Sequence, residues 1–485
     1  MKDKTNSRCK WDLLLFTANG PQQAQVFETQ ISGIYSAIIK YFKNYIVQQD
    51  PSEDFGSGLS TWNALFDLMG TPHGLGGKKI LLINTGGYSK RLPHCAPLGK
   101  LFTCLSDGRT LLEHKLETFC DLPTYLPPGV LVAASDTIET LNKLPSSVFD
   151  NISKDFILFG HYSTQKIANN HGVYIPETWD GNRLTVKKVL QKPDNEILES
   201  ENAKQENGLY ITDSCYFMAS SYCENFVNIT TKFKDELTAT NLCCYGDFLR
   251  PIGSEASDDY VEGTTDPVTR KWRRHFFDFF NKVTGNETLI VHEESKFHHF
   301  GTSIEFLENI LQDGPVWTQD SSNVIYSIIG SPGSSYKPHI GNNSFVEFCQ
   351  YGENVEIGDN CLVSGIDLSG AGDIEKLQIP SNCIVITWPL TLPHLEVPHL
   401  YVTIILPIDA DMKESQAITW FNFNEKSSFY TAQIFPLAKN PAESLERSLE
   451  CYRTGILTAF TDDQLSQRSY PFVPNLRCLA VLLGR

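Results

Sequence analysis

Apolar residues fall into two alternating rhythms over the first two thirds of the chain. Short continuous runs have the length of buried strands: Trp11–Thr17 (WDLLLFT), Ile80–Ile83, Gly129–Ala134 (GVLVAA), Phe156–Gly160, Leu184–Leu190 and Tyr210–Ala219. Asn169–Ile175 reads as a turn entering a strand, and Thr288–His292 as a further strand. Between these runs the spacing turns helical. Ile31, Ile34, Tyr35, Ile38, Ile39 and Phe42 lie on one stripe, which predicts a crossover helix over Ala24–Val47. Trp62–Met69, Thr110–Phe119 and the amphipathic Trp272–Asn281 read as helices too. The alternation predicts one large α/β domain with a mixed central sheet, residues 1–315.

Beyond it the rhythm changes. Phe345, Tyr351, Ile357 and Val363 recur every six residues, and Cys349, Val355 and Cys361 form a second series at the same interval. That period predicts a left-handed parallel β-helix-like domain, residues 316–400, with one inward residue per flat face. Residues 401–485 mix strand-like runs (Tyr401–Leu406, Ile418–Phe423) with a helix at Ala442–Tyr452, an extension to which no chemistry attaches.

The breaks between elements carry the candidate chemistry. After the strand at Ile80–Ile83, Gly86 and Gly87 allow a sharp turn and close approach of backbone to a ligand. Arg91 and Lys100 follow, so backbone N–H groups and spaced cations could together cradle a polyphosphate. The motif is neither a Walker A loop nor GxGxxG. A second glycine loop, Gly56-Ser57-Gly58, runs into the helix at Trp62 and offers another anion site, or a loop in which Ser60 or Thr61 caps the helix. Asp136 stands at the end of an apolar strand, where open α/β sheets place ligand contacts. Asp247, Lys192 and Lys296 complete the set. Taken singly, Asp136 also suits a helix cap, Lys192 a turn, and Asp247 a partner for a nearby cation. Arg270, Lys271, Arg273 and Arg274 read as a solvated face. Together the set suits a reaction between two phosphate-bearing substrates, where carboxylate-held Mg²⁺ offsets their repulsion.

Composition narrows the classes. A net charge of −17 argues against nucleic acid and anionic membranes as partners. No run is long enough for a transmembrane helix, and MKDKTNSRCK lacks the apolar core of a signal peptide, so a cytoplasmic protein is expected. Thirteen cysteines without paired spacing suit reduced thiols better than disulfides or zinc.

Gly86-Gly87-Tyr88-Ser89-Lys90-Arg91-Leu92-Pro93 followed by Leu98-Gly99-Lys100-Leu101-Phe102 resembles the signature of the fucose-1-phosphate guanylyltransferases, or GDP-L-fucose pyrophosphorylases, among the sugar-nucleotidyltransferases. Ser135-Asp136-Thr137-Ile138-Glu139, His171-Gly172-Val173-Tyr174, Leu190-Gln191-Lys192-Pro193, Thr212-Asp213-Ser214, Tyr245-Gly246-Asp247 and Ser295–Thr302 fit the same family. The resemblance implies a Rossmann-like nucleotidyltransferase domain and Mg²⁺-dependent formation of GDP-L-fucose and pyrophosphate from GTP and fucose 1-phosphate. Another sugar 1-phosphate, or a silent sugar-nucleotide-sensing homologue, is the alternative. It implies that Gly56, Gly58, Gly86 and Gly87 approach the nucleotide, and that Arg91, Lys100 and Asp136 are catalytic. Gly172, Lys192, Asp213 and Lys296 would meet the sugar phosphate. Asp136 would be the first metal ligand and Asp247 the second, with His299 or no further residue as the alternatives. His299 stands where simpler relatives carry an aspartate, and Leu59 where the fucose branch tends to carry glycine. Lys90 and His94 are expected at the surface. An acyltransferase reading of the β-helix fails for want of a histidine within Phe345–Val363.

Overall fold

The computed structural model describes residues 9–454 apart from 53–54, 72–73, 88, 90, 97, 142–143, 151–154, 181–182, 232–240, 312–321, 331–338, 370–375, 391–399, 411–415, 418–425 and 428–436. Two compact units result: Met1–Gly87 with Leu112–His298, and Tyr88–Leu111 with His299–Arg485. This division does not follow the three consecutive segments expected from the sequence, because Tyr88–Leu111 groups with the C-terminal half. Lys90 and the run Ile418–Phe423 lie outside the described residues.

The first unit is built on a nine-stranded mixed sheet. Its strands are β1 (Trp11–Ala18), β2 (Phe42–Gln49), β3 (Lys79–Asn84), β4 (Gly129–Ala134), β6 (Phe156–Ser163), β7 (Gly172–Asp180), β8 (Arg183–Gln191), β9 (Tyr210–Ala219) and β10 (Glu287–Val291). The short β5 (Thr137–Glu139) lies outside the sheet. The order is β2-β1-β3-β4-β9-β6-β10-β8-β7. β2, β1, β3 and β4 run parallel, with Leu14 opposite both Tyr45 and Leu81, and Leu81 opposite Leu131. β9 then enters antiparallel to β4 and β6. Strands buried on both faces favour continuous apolar runs, which β3 and β4 supply, while β9 buries Thr212, Asp213 and Ser214 within its run.

The predicted helix over Ala24–Val47 is corrected. Helix α1 spans Pro21–Ile38 and buries Phe27, Ile31, Ile34 and Ile38. The chain turns at Lys40-Tyr41, and Phe42–Gln49 forms the edge strand β2. Phe42 continues the helical stripe only by coincidence of spacing; Tyr45, Ile46 and Val47 prefer a pleated surface. Helix α2 (Ser57–Met69) buries Leu59, Trp62, Leu65 and Leu68. It packs into an aromatic core in which Trp62 lies 6.1 Å from Trp272, and Phe248 stacks on Phe280 at 4.6 Å. Trp272 and Phe280 come from the helix Pro267–Phe280, whose cations are not a bare solvated face: Arg273 pairs with Asp247, and Arg274 with Asp258 and Glu262.

In the second unit the six-residue rhythm acquires a spatial meaning. Phe345–Glu347, Gln350–Tyr351 and Val355–Ile357 belong to three different sheets, and Leu362–Ser364 returns to the first with Val346 opposite Val363. Val355–Ile357 pairs in parallel with Leu377–Ile379, and Val363 with Val385, so the pattern runs on past Ser364, where the sequence rhythm fades. Phe345, Tyr351, Ile357 and Val363 are all buried. The strand Leu400–Pro407 extends one of these sheets, antiparallel to Cys383–Leu390. Leu445 and Leu449 of the helix Pro441–Thr454 complete the core beneath it. Among the described residues no helix is long and apolar enough to cross a membrane.

Candidate active site

The C-terminal ends of β1, β2 and β3 open into a cleft of about 230 Å³. In a parallel sheet this is the end from which loops reach a ligand. Gly86 and Gly87 enter it from β3, Gly56 and Ser57 from the start of α2, Thr17 and Asn19 from β1, and Asp50 from β2. The structure thus brings together the two glycine loops that lie apart in sequence.

Each glycine has a separate physical reason. Gly87 has φ 109°, in the left-handed region. A Cβ at Gly86 would lie 3.2 Å from Asp50 Oδ2, narrowing the cleft. At Gly56 it would lie 2.5 Å from the carbonyl oxygen of Leu242, so this glycine admits neighbouring backbone while lining the cleft. Gly58 is not among the residues that line the cleft; its N–H donates to Leu242 O at 2.7 Å. Ser60 does not cap α2 either. It sits in the first turn and donates to Asp50 Oδ2 at 2.7 Å.

Asp50 is the residue that sequence reasoning missed. The extended helix concealed β2, and with it the carboxylate at that strand's end. Asp50 is 9% exposed, and its Oδ1 has no hydrogen-bond partner among the described residues. Burial pushes its carboxyl up to about 7, against the opposing pull of the Ser60 hydroxyl. Asn19 Nδ2 is likewise buried in the cleft without a partner among the described residues.

Asp136 leaves the sheet from β4, next to β3; Asn84 stands opposite Ala134, so the Gly86 turn and Asp136 depart side by side. Asp136 is half-buried. Its position is fixed from below by β5, where Lys115 Nζ donates to Glu139 at 2.7 Å and to Thr137 at 3.0 Å. Lys115 and Glu139 are wholly buried, and removing either would strand the other's charge in the core.

Asp247, expected as the second metal ligand, is held in an ion pair with Arg273. Its Oδ1 accepts from Arg273 Nε at 2.9 Å and its Oδ2 from Cys243 N at 2.7 Å. Each oxygen accepts one hydrogen bond, and burial raises its pKa despite these donors. His299 Nδ1 lies 3.1 Å from Glu305. No group of three metal-ligating side chains occurs among the described residues.

The expected sugar-phosphate residues gather at the other side of the sheet. Gly172 N donates to Asp213 Oδ1 at 3.0 Å, and a Cβ there would come within 2.3 Å of Asp213 Oδ2. The missing side chain therefore makes room for this carboxylate. Burial pushes Asp213 up to about 6, while the Gly172 N–H and the Lys192 charge oppose it. Lys192 is exposed with φ 48°, and its N–H donates to His171 O at 3.0 Å. The exposed Lys296 precedes Phe297, whose ring meets His171 edge-on at 4.9 Å. Buried Tyr174 Oη and Gln191 Oε1 have no partner among the described residues, a feature no sequence pattern signals.

Arg91 and Lys100 belong to the second unit. Arg91 is exposed and its carbonyl accepts from Ser303 Oγ at 3.4 Å; Lys100 is half-buried and opens the 3-10 turn Lys100–Phe102. His94, expected at the surface, is 2% exposed and packs 4.7 Å from the Phe306 ring. Burial pulls its pKa down to about 3.

The fucose pyrophosphorylase domain family matches residues 73–440. The chain belongs to that family. A fucose-1-phosphate guanylyltransferase of Homo sapiens is 26% identical to this fucose pyrophosphorylase domain protein, over 91% of this chain and 84% of its own. The Mus musculus fucose-1-phosphate guanylyltransferase is 25% identical over 90% and 86%. A bifunctional fucokinase/GDP-fucose pyrophosphorylase of Arabidopsis thaliana is 24% identical over 62% of this chain and 32% of its own length.

Proposed function

We propose that this chain forms GDP-L-fucose and pyrophosphate from GTP and β-L-fucose 1-phosphate. The observation that carries the reading is the cleft at the ends of β1–β3, where both glycine loops converge in a member of the fucose pyrophosphorylase family. The nucleotide occupies that cleft against Gly56, Gly86 and Gly87. The sugar phosphate is met by Lys192, Asp213 and Lys296, with Tyr174 and Gln191 available to its hydroxyls. Attack of one phosphate on another requires alignment and charge neutralisation rather than a covalent enzyme intermediate. Arg91 and Lys100 are assigned to that neutralisation from the family signature. Asp136 is the carboxylate that would hold Mg²⁺; one carboxylate with substrate phosphates suits this ion, which when bound offsets the repulsion between the two anions. The repeating strands of 324–390 are read as a parallel β-helix.

Pyrophosphate release from GTP should depend on fucose 1-phosphate. Wild-type protein that is folded yet silent with both substrates would point instead to a sensing role. Lys100→Ala should lower turnover by roughly 100-fold or more while leaving the melting temperature within a degree or two. Unchanged turnover would remove Lys100 from the catalytic set.

A further inference from the structure

We infer that Asp50 selects the base of the nucleotide, accepting the N1–H and the exocyclic N2 amino group of guanine. The inference rests on the nucleotide occupying the cleft proposed above. Among the described residues, Asp50 Oδ1 is buried and unpartnered within that cleft, and Oδ2 accepts from the Ser60 hydroxyl alone. A carboxylate has about four lone-pair positions, so both oxygens can still accept. The carboxylate is held rigidly: Asp50 N donates to Ala18 O at 2.8 Å, and Ser60 lies in the first turn of α2. The absent Cβ of Gly86 keeps the space beside Oδ2 open. Asn19 Nδ2, also buried in the cleft and without a partner among the described residues, supplies a donor.

These groups present two acceptors and one donor. Guanine shows the complement along one edge: two N–H donors at N1 and N2, and an acceptor at O6. Adenine offers a ring-nitrogen acceptor where N1–H should be. Uracil flanks its single N–H with two acceptor oxygens. Either would set lone pairs against a buried carboxylate, whose desolvation then stays uncompensated. The upward pKa shift of Asp50 is the signature of that unmet demand, and two N–H donors would relieve it.

The assay is pyrophosphate release with fucose 1-phosphate and a panel of GTP, ITP and XTP, read as kcat/KM. ITP lacks the 2-amino group, so wild type should use it roughly 10- to 100-fold less well than GTP. In Asp50→Asn the amide nitrogen becomes a donor, which opposes the guanine amino group and matches the O2 carbonyl of xanthine. D50N should therefore lose GTP and prefer XTP. That gain cannot come from misfolding. Equal use of GTP and ITP by wild type overturns the inference without any variant, as does a D50N enzyme that still prefers GTP to XTP. Wild type that releases no pyrophosphate from any member of the panel fails the functional reading itself, a result distinguishable in the same assay.

Discussion

Two buried carboxyls outside the cleft show how single residues tune this protein. Glu347 is 3% exposed, its Oε1 accepts from Ser364 Oγ at 2.8 Å, and burial pushes it up to about 8. Between the unfolded value of 4.5 and about 8 the folded chain holds a proton that the unfolded chain has released, so stability falls as pH rises through this window. Glu347→Gln keeps the acceptor and removes the titration. Its melting temperature should change less between pH 5 and pH 8 (about the limits of the window) and exceed the wild type's at the upper end. Parallel curves for the two proteins would contradict this. Asp213 and Gly172 form the second case. Gly172→Ala places a methyl on the carboxylate, and a loss of about 1–3 kcal/mol is expected together with a raised KM for fucose 1-phosphate. A rise in the KM for GTP alone would argue that Asp213 serves the nucleotide.

At the level of elements, the junction between α2 and the Leu242 backbone shapes the cleft. Gly56→Ala drives a Cβ to 2.5 Å from Leu242 O and 2.6 Å from Leu242 N, both backbone atoms that cannot swing aside. An overpacking loss of about 1–3 kcal/mol and weaker GTP binding should appear together, in thermal melts and in titration calorimetry. Stability loss with unaltered GTP affinity would separate Gly56 from the nucleotide. Elements of this kind were unevenly legible in the sequence. Tyr210–Ala219 was delimited correctly because both its faces are buried and apolar residues bracket its short polar stretch Thr212-Asp213-Ser214. The edge strand Phe42–Gln49 was not, because half-buried edges carry polar residues and its first aromatic prolonged the helical stripe. That one boundary error hid Asp50, whose significance depends on Gly86 and Ser60 arriving from elsewhere in the chain. Asp247 was ambiguous for the complementary reason: a carboxylate that could hold a metal and an ion-paired one look alike until Arg273 is placed. His94 was misjudged because a lone histidine after proline gives no sign of the Phe306 ring that covers it.

For the molecule as a whole, the net charge of −17 sets the terms on which two phosphate esters can be brought together. Long-range attraction is not available, so neutralisation has to be local. Chelation by EDTA should abolish pyrophosphate release and added Mg²⁺ should restore it, with Asp136→Asn needing more of the ion. Full turnover in EDTA would dismiss the assignment of Asp136. The aromatic core under the cleft offers a way to follow such events without any label. Trp62 lies inside α2, the helix whose first turn grips Asp50. It is fully buried, stacks on Phe66 at 5.3 Å and lies 6.1 Å from Trp272. An indole so placed emits in the blue and responds to small displacements of its helix. Filling the cleft should therefore change the protein's own fluorescence, a change that stopped flow can read before any bond is made or broken.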